Sequence, residues 1–230
     1  MQSSSKDKVI MQQPDKTDSN TPPRQILKVI SWNLLHRSGA LVEDIAGIIE
    51  DERPDLFLMQ EVTEEIGVLP SLVGGGKYHA QSWPGKRHGL AVWGSTTLWE
   101  SRALKLPASK MPGRLPARFS QILEVDGVTI ANVHLSHGQL LNRRQLRTIA
   151  HSTDGPTAII GDFNAVGPVV MPGFRDVGPR GSTHHAQKIV PFRLDRCLAR
   201  DLPMVNGKSL NRGPSDHRPI LIEFKHERRK

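Results

Sequence analysis

Two apolar runs, Phe119 to Val125 and Val128 to Val133, are separated only by Asp126-Gly127. Asp-Gly supplies the positive-φ positions that a two-residue hairpin turn needs, so the runs are expected to pair as antiparallel neighbours. An all-parallel sheet is thereby disfavoured. The remaining apolar runs are short and bounded by Gly, Pro or polar residues. Strands are expected from Ile26 to Trp32, Leu56 to Met59, Lys77 to Trp83, Leu90 to Trp93, Thr157 to Ile160, Phe192 to Leu198 and Pro219 to Phe224. Two stretches differ. Leu41, Val42, Ile45, Ile48 and Ile49 fall at helical spacing with an acidic outer face and are stopped by Pro54, and Leu140 to Ala150 reads as a helix carrying Arg143, Arg144 and Arg147. Gly167 to Gly181 is expected to be loop. Mixed strands and helices with an antiparallel hairpin favour an α+β or layered α/β arrangement.

The 230 residues suit one domain, placed at 26–224, with a polar, Pro-containing tail over 1–25 expected to be disordered and a basic tail over 225–230. A single cysteine, Cys197, excludes an internal disulfide framework and is read as a small core residue. Met1 to Arg24 has no apolar segment of the secretory type, and no run of 18 apolar residues occurs. A cytoplasmic monomer is the expectation. The net charge of +8 is unevenly spread: residues 41–65 carry nine acids against Arg53, and residues 86–118 carry seven bases against Glu100. The basic segment suits a polyanion, although a solvated surface has the same composition.

Polar residues recur at the ends of these strands: Asn33, Glu61, His134, Asp162, Asn164 and Asp216-His217. In Ile159-Ile160-Gly161-Asp162-Phe163-Asn164 the carboxylate and amide would share one face of an extended chain. That pair alone is equally consistent with a strand surfacing into an Asx turn. As a set, Glu61, Asp162 and Asp216 are hard oxygen donors, and Asn33 and Asn164 add neutral amides. Such donors suit Mg²⁺ or Mn²⁺. No Cys/His cluster is apparent, so zinc is not expected. His134 and His217 are imidazoles able to exchange protons near neutral pH. Together these groups form a kit for metal-assisted hydrolysis of a phosphate ester.

The order Ser31-Trp32-Asn33, Gln60-Glu61, Asn132-Val133-His134-Leu135, Gly161-Asp162-Phe163-Asn164 and Ser215-Asp216-His217-Arg218-Pro219 resembles the endonuclease/exonuclease/phosphatase family, which has the deoxyribonuclease I-like fold. The resemblance implies a four-layer α/β/β/α sandwich of two mixed sheets with the site at one edge. It implies Glu61 as the principal metal carboxylate, with Asn33 and Asp216 beside it. Asp162 and Asn164 correspond to the pair that orients water and contacts the scissile phosphate. His217 corresponds to the general base, Asp195 to the carboxylate that orients it, and His134 to a histidine that stabilises the transition state or protonates the leaving group. Thr183 resembles a threonine of the loop before Asp195 and is placed with the substrate-binding residues, and Arg143 and Gln145 resemble a structural helix pattern. The aromatic residue that follows the aspartate in the family is Arg196 in this chain.

The histidine at 134 resembles the deoxyribonuclease and sphingomyelinase branches. The short chain implies an open cleft, and Lys86, Arg87, Arg114 and Arg118 would lie along a polyanion. A Mg²⁺-dependent endonuclease acting on DNA is the leading expectation. A lipid or small-molecule phosphodiesterase and an inactive nucleic-acid-binding module are the alternatives. His184 and His185 are read as exposed loop residues, His88 as a surface turn, and Trp32, Trp93 and Trp99 as core.

Overall fold

The computed structural model describes residues 25–97, 99–109, 117–186, 190–211 and 213–226. In chain order the elements are β1 (Gln25–Asn33), α1 (Val42–Glu52), β2 (Leu56–Val62), α2 (Leu69–Leu72), β3 (Lys77–Ser82), β4 (Gly89–Gly94), β5 (Trp99–Lys105), β6 (Phe119–Val125), β7 (Val128–His134), α3 (Gln139–His151), β8 (Thr157–Asp162), β9 (Arg175–Asp176), β10 (His184–Ala186), β11 (Val190–Phe192), β12 (Asp195–Arg200), β13 (Met204–Ser209) and β14 (Ile220–His226). Two six-stranded sheets result, ordered β13-β14-β1-β2-β4-β3 and β5-β6-β7-β8-β12-β9, with β10-β11 as a separate hairpin. Both sheets are mixed: β1-β2 and β7-β8 pair in parallel, and the other pairs are antiparallel.

Strand alternation builds the layers. Val29, Leu56, Leu58, Ile130, Ala158, Ile160, Cys197, Ile222 and Phe224 meet between the sheets. The alternate residues Ile30, Trp32, Phe57 and Met59 pack outward against Ile45 and Ile49 of α1. On the far side Ala131, Val133, Ile159 and Leu198 pack against Leu146 and Ile149 of α3. The result is the α/β/β/α sandwich that the resemblance implies. Trp32, Trp93 and Trp99 are buried, as is Cys197. Buried Gln145 takes the Ser136 N–H at 2.9 Å and donates to Pro107 O, a structural role as expected.

Several boundaries differ from the sequence reading. Gln25 pairs with His226, and Lys225 with Ile26, so residues placed in the tails close the β1-β14 ladder. The expected strand Phe192 to Leu198 is two, because the chain leaves the β10-β11 hairpin at Phe192 and joins β8 at Asp195. Within the loop region from Gly167 to Gly181, Arg175–Asp176 pairs with β12. The tail over 1–24 and Arg114 lie outside the described residues.

Candidate active site

Strand direction gathers the polar residues. The parallel β1-β2 ladder ends with Asn33 opposite Gln60, and the parallel β7-β8 ladder ends with His134 opposite Asp162. β12 runs the other way and starts there, with Asp195 opposite Asp162. The segment before β14 is tied to the end of β1: Ser215 Oγ donates to Asn33 O at 2.7 Å, and Trp32 Nε1 donates to His217 O at 3.0 Å. Gln60 Nε2 donates to Asn132 Oδ1 at 2.8 Å and to Ser31 Oγ at 3.0 Å, joining the two sheets directly beneath this edge.

Asp162 is the hub. Its Oδ2 accepts from Asn33 Nδ2 at 3.1 Å and lies 3.5 Å from His134 Nε2 and 3.8 Å from His217 Nε2. Its Oδ1 accepts the Asn164 N–H at 2.8 Å, an Asx turn in which Asn164 has φ 48°. The turn reading and the site reading of this stretch therefore hold together. Asn164 Nδ2 donates to Leu135 O at 3.0 Å, which fixes its amide beside His134. His217 Nδ1 lies 2.8 Å from Asp195 Oδ2.

Burial and charge set the proton distribution. Burial opposes ionisation of Asp162, but His217, His134, the Asn164 N–H and Asn33 together hold its carboxyl below the usual range. Burial, reinforced by Asp162, pushes Asp195 up. Burial would lower His217, yet Asp195, Asp162 and Asp216 overcome it and hold the imidazole at about 10. At His134 burial wins and, with Arg118 adding to it, takes the imidazole down to about 4. In the metal-free protein at neutral pH, His217 is thus charged and His134 neutral.

Glu61 stands at the register shift between Gln60 and Val62, where β2 bulges against β4, and has φ 57°. The bulge turns its side chain out of the ladder. Its Oε2 accepts the His36 N–H at 3.3 Å and contacts His36 Nδ1. Burial would raise this carboxyl, but His134 and His36 hold it low. His36 in turn stacks on His88, with centroids 3.8 Å apart and planes 10° apart. His88, read as a surface turn, therefore borders the site. Neither contact had a signal in the sequence, because both depend on loops. Half-buried Arg118 lies over the Trp83 ring at 4.9 Å; burial lowers its guanidinium pKa, and Asp162 and Glu61 oppose that shift. Lys86 and Arg87 are exposed on the β3-β4 turn that carries His88.

Three expectations change. Thr183 is fully buried, and its Oγ1 accepts the N–H groups of Leu194 and Asp195 at 3.1 and 2.9 Å. Its hydroxyl is committed to the start of β12, so it positions Asp195 and cannot serve as a substrate contact. Asn33 uses its amide N–H on Asp162 and its Oδ1 on the Leu35 N–H at 3.1 Å, so it braces Asp162 more directly than it offers a metal ligand. His184 is not a free loop residue: its Nε2 lies 3.3 Å from Asp216 Oδ2 and its ring 4.5 Å from that of His217. The sequence hint was its place directly after Thr183. Arg193 and Arg196 pair with Asp176, which leaves Asp195 to His217. Arg196 also donates to Ala165 O and Gly167 O, a structural replacement for an aromatic ring.

Among the described residues, two groups of acidic and imidazole side chains converge closely enough to hold an ion: Asp162, Asp195 and His217, and His184, Asp216 and His217. Among them, too, no helix is long and apolar enough to cross a membrane.

Similar proteins share this fold. The chain is 26% identical over 219 residues to UPF0294 protein VP2298 of Vibrio parahaemolyticus serotype O3:K6, covering 86% of this chain and 77% of that one. The structure of the endonuclease/exonuclease/phosphatase from Bacteroides vulgatus superposes with TM-score 0.72 at 16% identity, covering 88% of this chain and 100% of that one. TDP2 of D. rerio complexed with single-strand DNA product superposes with TM-score 0.69 at 16% identity, covering 86% and 98%. A functionally unknown protein of Enterococcus faecalis V583 gives TM-score 0.69 at 20% identity, covering 86% and 98%. The sequence model of the endonuclease/exonuclease/phosphatase family matches residues 30–217. With that match spanning both sheets and every polar strand end described above, the chain belongs to the endonuclease/exonuclease/phosphatase family, whose members are typically metal-dependent hydrolases.

Proposed function

We propose that this chain is a divalent-metal-dependent phosphodiesterase that cleaves DNA by in-line attack of water. The observation that carries the reading is the convergence of His134 and the His217-Asp195 pair on the single carboxylate of Asp162, where the ends of both sheets meet. The donor set fits Mg²⁺ or Mn²⁺. Glu61 is held ionised, and Asp216 is ionised with an Oδ1 that has no hydrogen-bond partner. Glu61 and Asp216 would hold the ion, with Asn33 bracing Asp162. A bound Mg²⁺ polarises a phosphate oxygen and offsets charge in the transition state.

The remaining roles fall to the chain. Asp195 holds the Nδ1 proton of His217, so Nε2 faces the reacting centre as base. A cation held beside Asp162 and Asp216 would offset the carboxylate charge that raises His217 and so would lower its pKa toward the deprotonated form that a base needs. Neutral His134 serves as a hydrogen-bond donor to developing charge and not as a proton source. Asn164 and Asp162 orient water. Arg118, Lys86 and Arg87 follow the backbone of a long substrate, and Arg114 of the same basic segment is assigned with them. The DNA product in the D. rerio TDP2 complex supports a nucleic-acid substrate.

A panel of plasmid, RNA, abasic duplex, sphingomyelin and inositol phosphates with Mg²⁺ tests the reading. Plasmid cleavage abolished by EDTA and by Asp162→Asn is expected. Full activity after exhaustive chelation would remove the metal from the mechanism. A lipid substrate is favoured by one observation. Leu140, Val166 and Val170 are exposed, Val166 lies two residues beyond Asn164, and Gln139 Nε2, next to Leu140, donates to Val166 O at 2.9 Å. Cleavage of sphingomyelin alone would put that reading first.

A further inference from the structure

The pair His184-Asp216 has no part in the hydrolysis described above beyond the carboxylate. A second imidazole, that of His217, converges on the same carboxylate. His184 Nε2 is 3.3 Å from Asp216 Oδ2, and His217 Nε2 is 4.0 Å from Asp216 Oδ1. All three ligand atoms lie within 4.8 Å of one another. Ligands at about 2.0–2.1 Å from a tetrahedral ion stand roughly 3.3 Å apart, so His184 and Asp216 already stand at ligand spacing and His217 would draw in by up to roughly 1.5 Å to complete the group.

Three further features suit an ion. Asp216 Oδ1 is buried without a hydrogen-bond partner. His217 already gives its other ring nitrogen to Asp195 at 2.8 Å, the carboxylate-imidazole support that holds metal-bound histidines. The backbone also fixes the spacing: His184 bridges His217, Arg218 N–H donates to Thr183 O at 2.7 Å, and His185 N–H donates to Asp216 O at 3.1 Å.

We propose that His184, Asp216 and His217 form a second metal site, selective for a borderline ion such as Zn²⁺, whose occupation inhibits the hydrolase. Two imidazoles and one carboxylate favour Zn²⁺ over Mg²⁺, which takes oxygen donors. Inhibition follows because the ion occupies the Nε2 lone pair of His217, the pair needed to accept a proton from water. The site shares Asp216 with the activating cation, so the two ions compete. Only the inhibitory half rests on the functional reading above; binding stands apart from it.

Co²⁺ titration of the purified protein, followed by visible absorption, measures binding without activity. One equivalent should give a ligand-field band of low coordination number, and Zn²⁺ should displace it. His184→Gln keeps a polar partner for Asp216 but removes the imidazole. It should weaken Co²⁺ at least tenfold with an unchanged circular dichroism spectrum, and His184→Ala should do the same. Glu61→Gln should retain the band. In the enzyme assay with Mg²⁺ held constant, Zn²⁺ should inhibit the wild type at a concentration at least tenfold below that needed for His184→Gln. Equal Co²⁺ affinity in wild type and both His184 variants would overturn the site, as would loss of the band in Glu61→Gln. Activation by Zn²⁺ would overturn the inhibitory role. If no phosphodiester is cleaved with any metal, the hydrolase reading fails while the Co²⁺ result still decides the site.

Discussion

Asp195 and His217 reach each other across the two sheets: Asp195 opens β12 of one, His217 precedes β14 of the other, and 2.8 Å separates Oδ2 from Nδ1. Neither sheet alone makes this pair. If His217 is the base and Asp195 orients it, His217→Ala should lower kcat by about 10²–10⁴-fold. Asp195→Asn should lose less and should shift the acid limb of the pH-rate profile. Steady-state kinetics on a folded variant check this, and near-normal turnover in His217→Ala would remove the role.

Protonation gives two opposed limbs of stability in the metal-free protein. His134 falls from an ordinary value near 6.5 to about 4 on folding, so the unfolded chain binds more protons between those values. Its effect is to lose stability as pH falls from about 6.5 to 4. His217 rises to about 10, so its stabilisation is complete below about 6.5 and is lost as pH climbs through 10. Each contribution is on the order of a few kcal/mol. Denaturant midpoints of wild type minus His134→Ala should change only on the acid side, and those of wild type minus His217→Gln only on the alkaline side.

Salt dependence reads the basic segment. Lys86→Glu with Arg87→Glu should raise KM for plasmid and flatten the dependence of binding on salt by about two phosphate contacts. Hydrolysis of a small phosphodiester should stay within about twofold. An unaltered slope would leave these side chains as solvated surface.

Thr183 offers a structural control. Thr183→Val leaves the N–H groups of Leu194 and Asp195 without an acceptor, at a cost of about 1–3 kcal/mol. Thr183→Ser should recover most of it. A lower thermal midpoint in Val, restored in Ser, is the expected result.

Local chemistry explains what could be read from the chain. The Asp126-Gly127 hairpin was legible because its turn is set by two residues, and Asn33, Glu61, His134 and Asp162 because each ends a buried run. β5 and β13 were not, since edge strands expose most of their side chains and Trp99–Lys105 and Met204–Ser209 carry little apolar pattern. Thr183 was placed correctly in order but wrongly in role, because which way a side chain points in a loop depends on what it packs against. His36, His88 and His184 acquire their significance only from partners more than twenty residues away.

If Glu61 holds the metal as proposed, its left-handed backbone sets the catalytic and the conformational demands on this chain against each other. A φ of 57° is costly for a side-chain-bearing residue, by about 1 kcal/mol or more, and cheap for glycine. The carboxylate stands where the main chain would relax without a side chain. A copy released from selection for turnover would therefore be free to drift toward glycine at position 61, growing hardier as it fell silent, and heat resistance in a variant would be a poor guide to its activity.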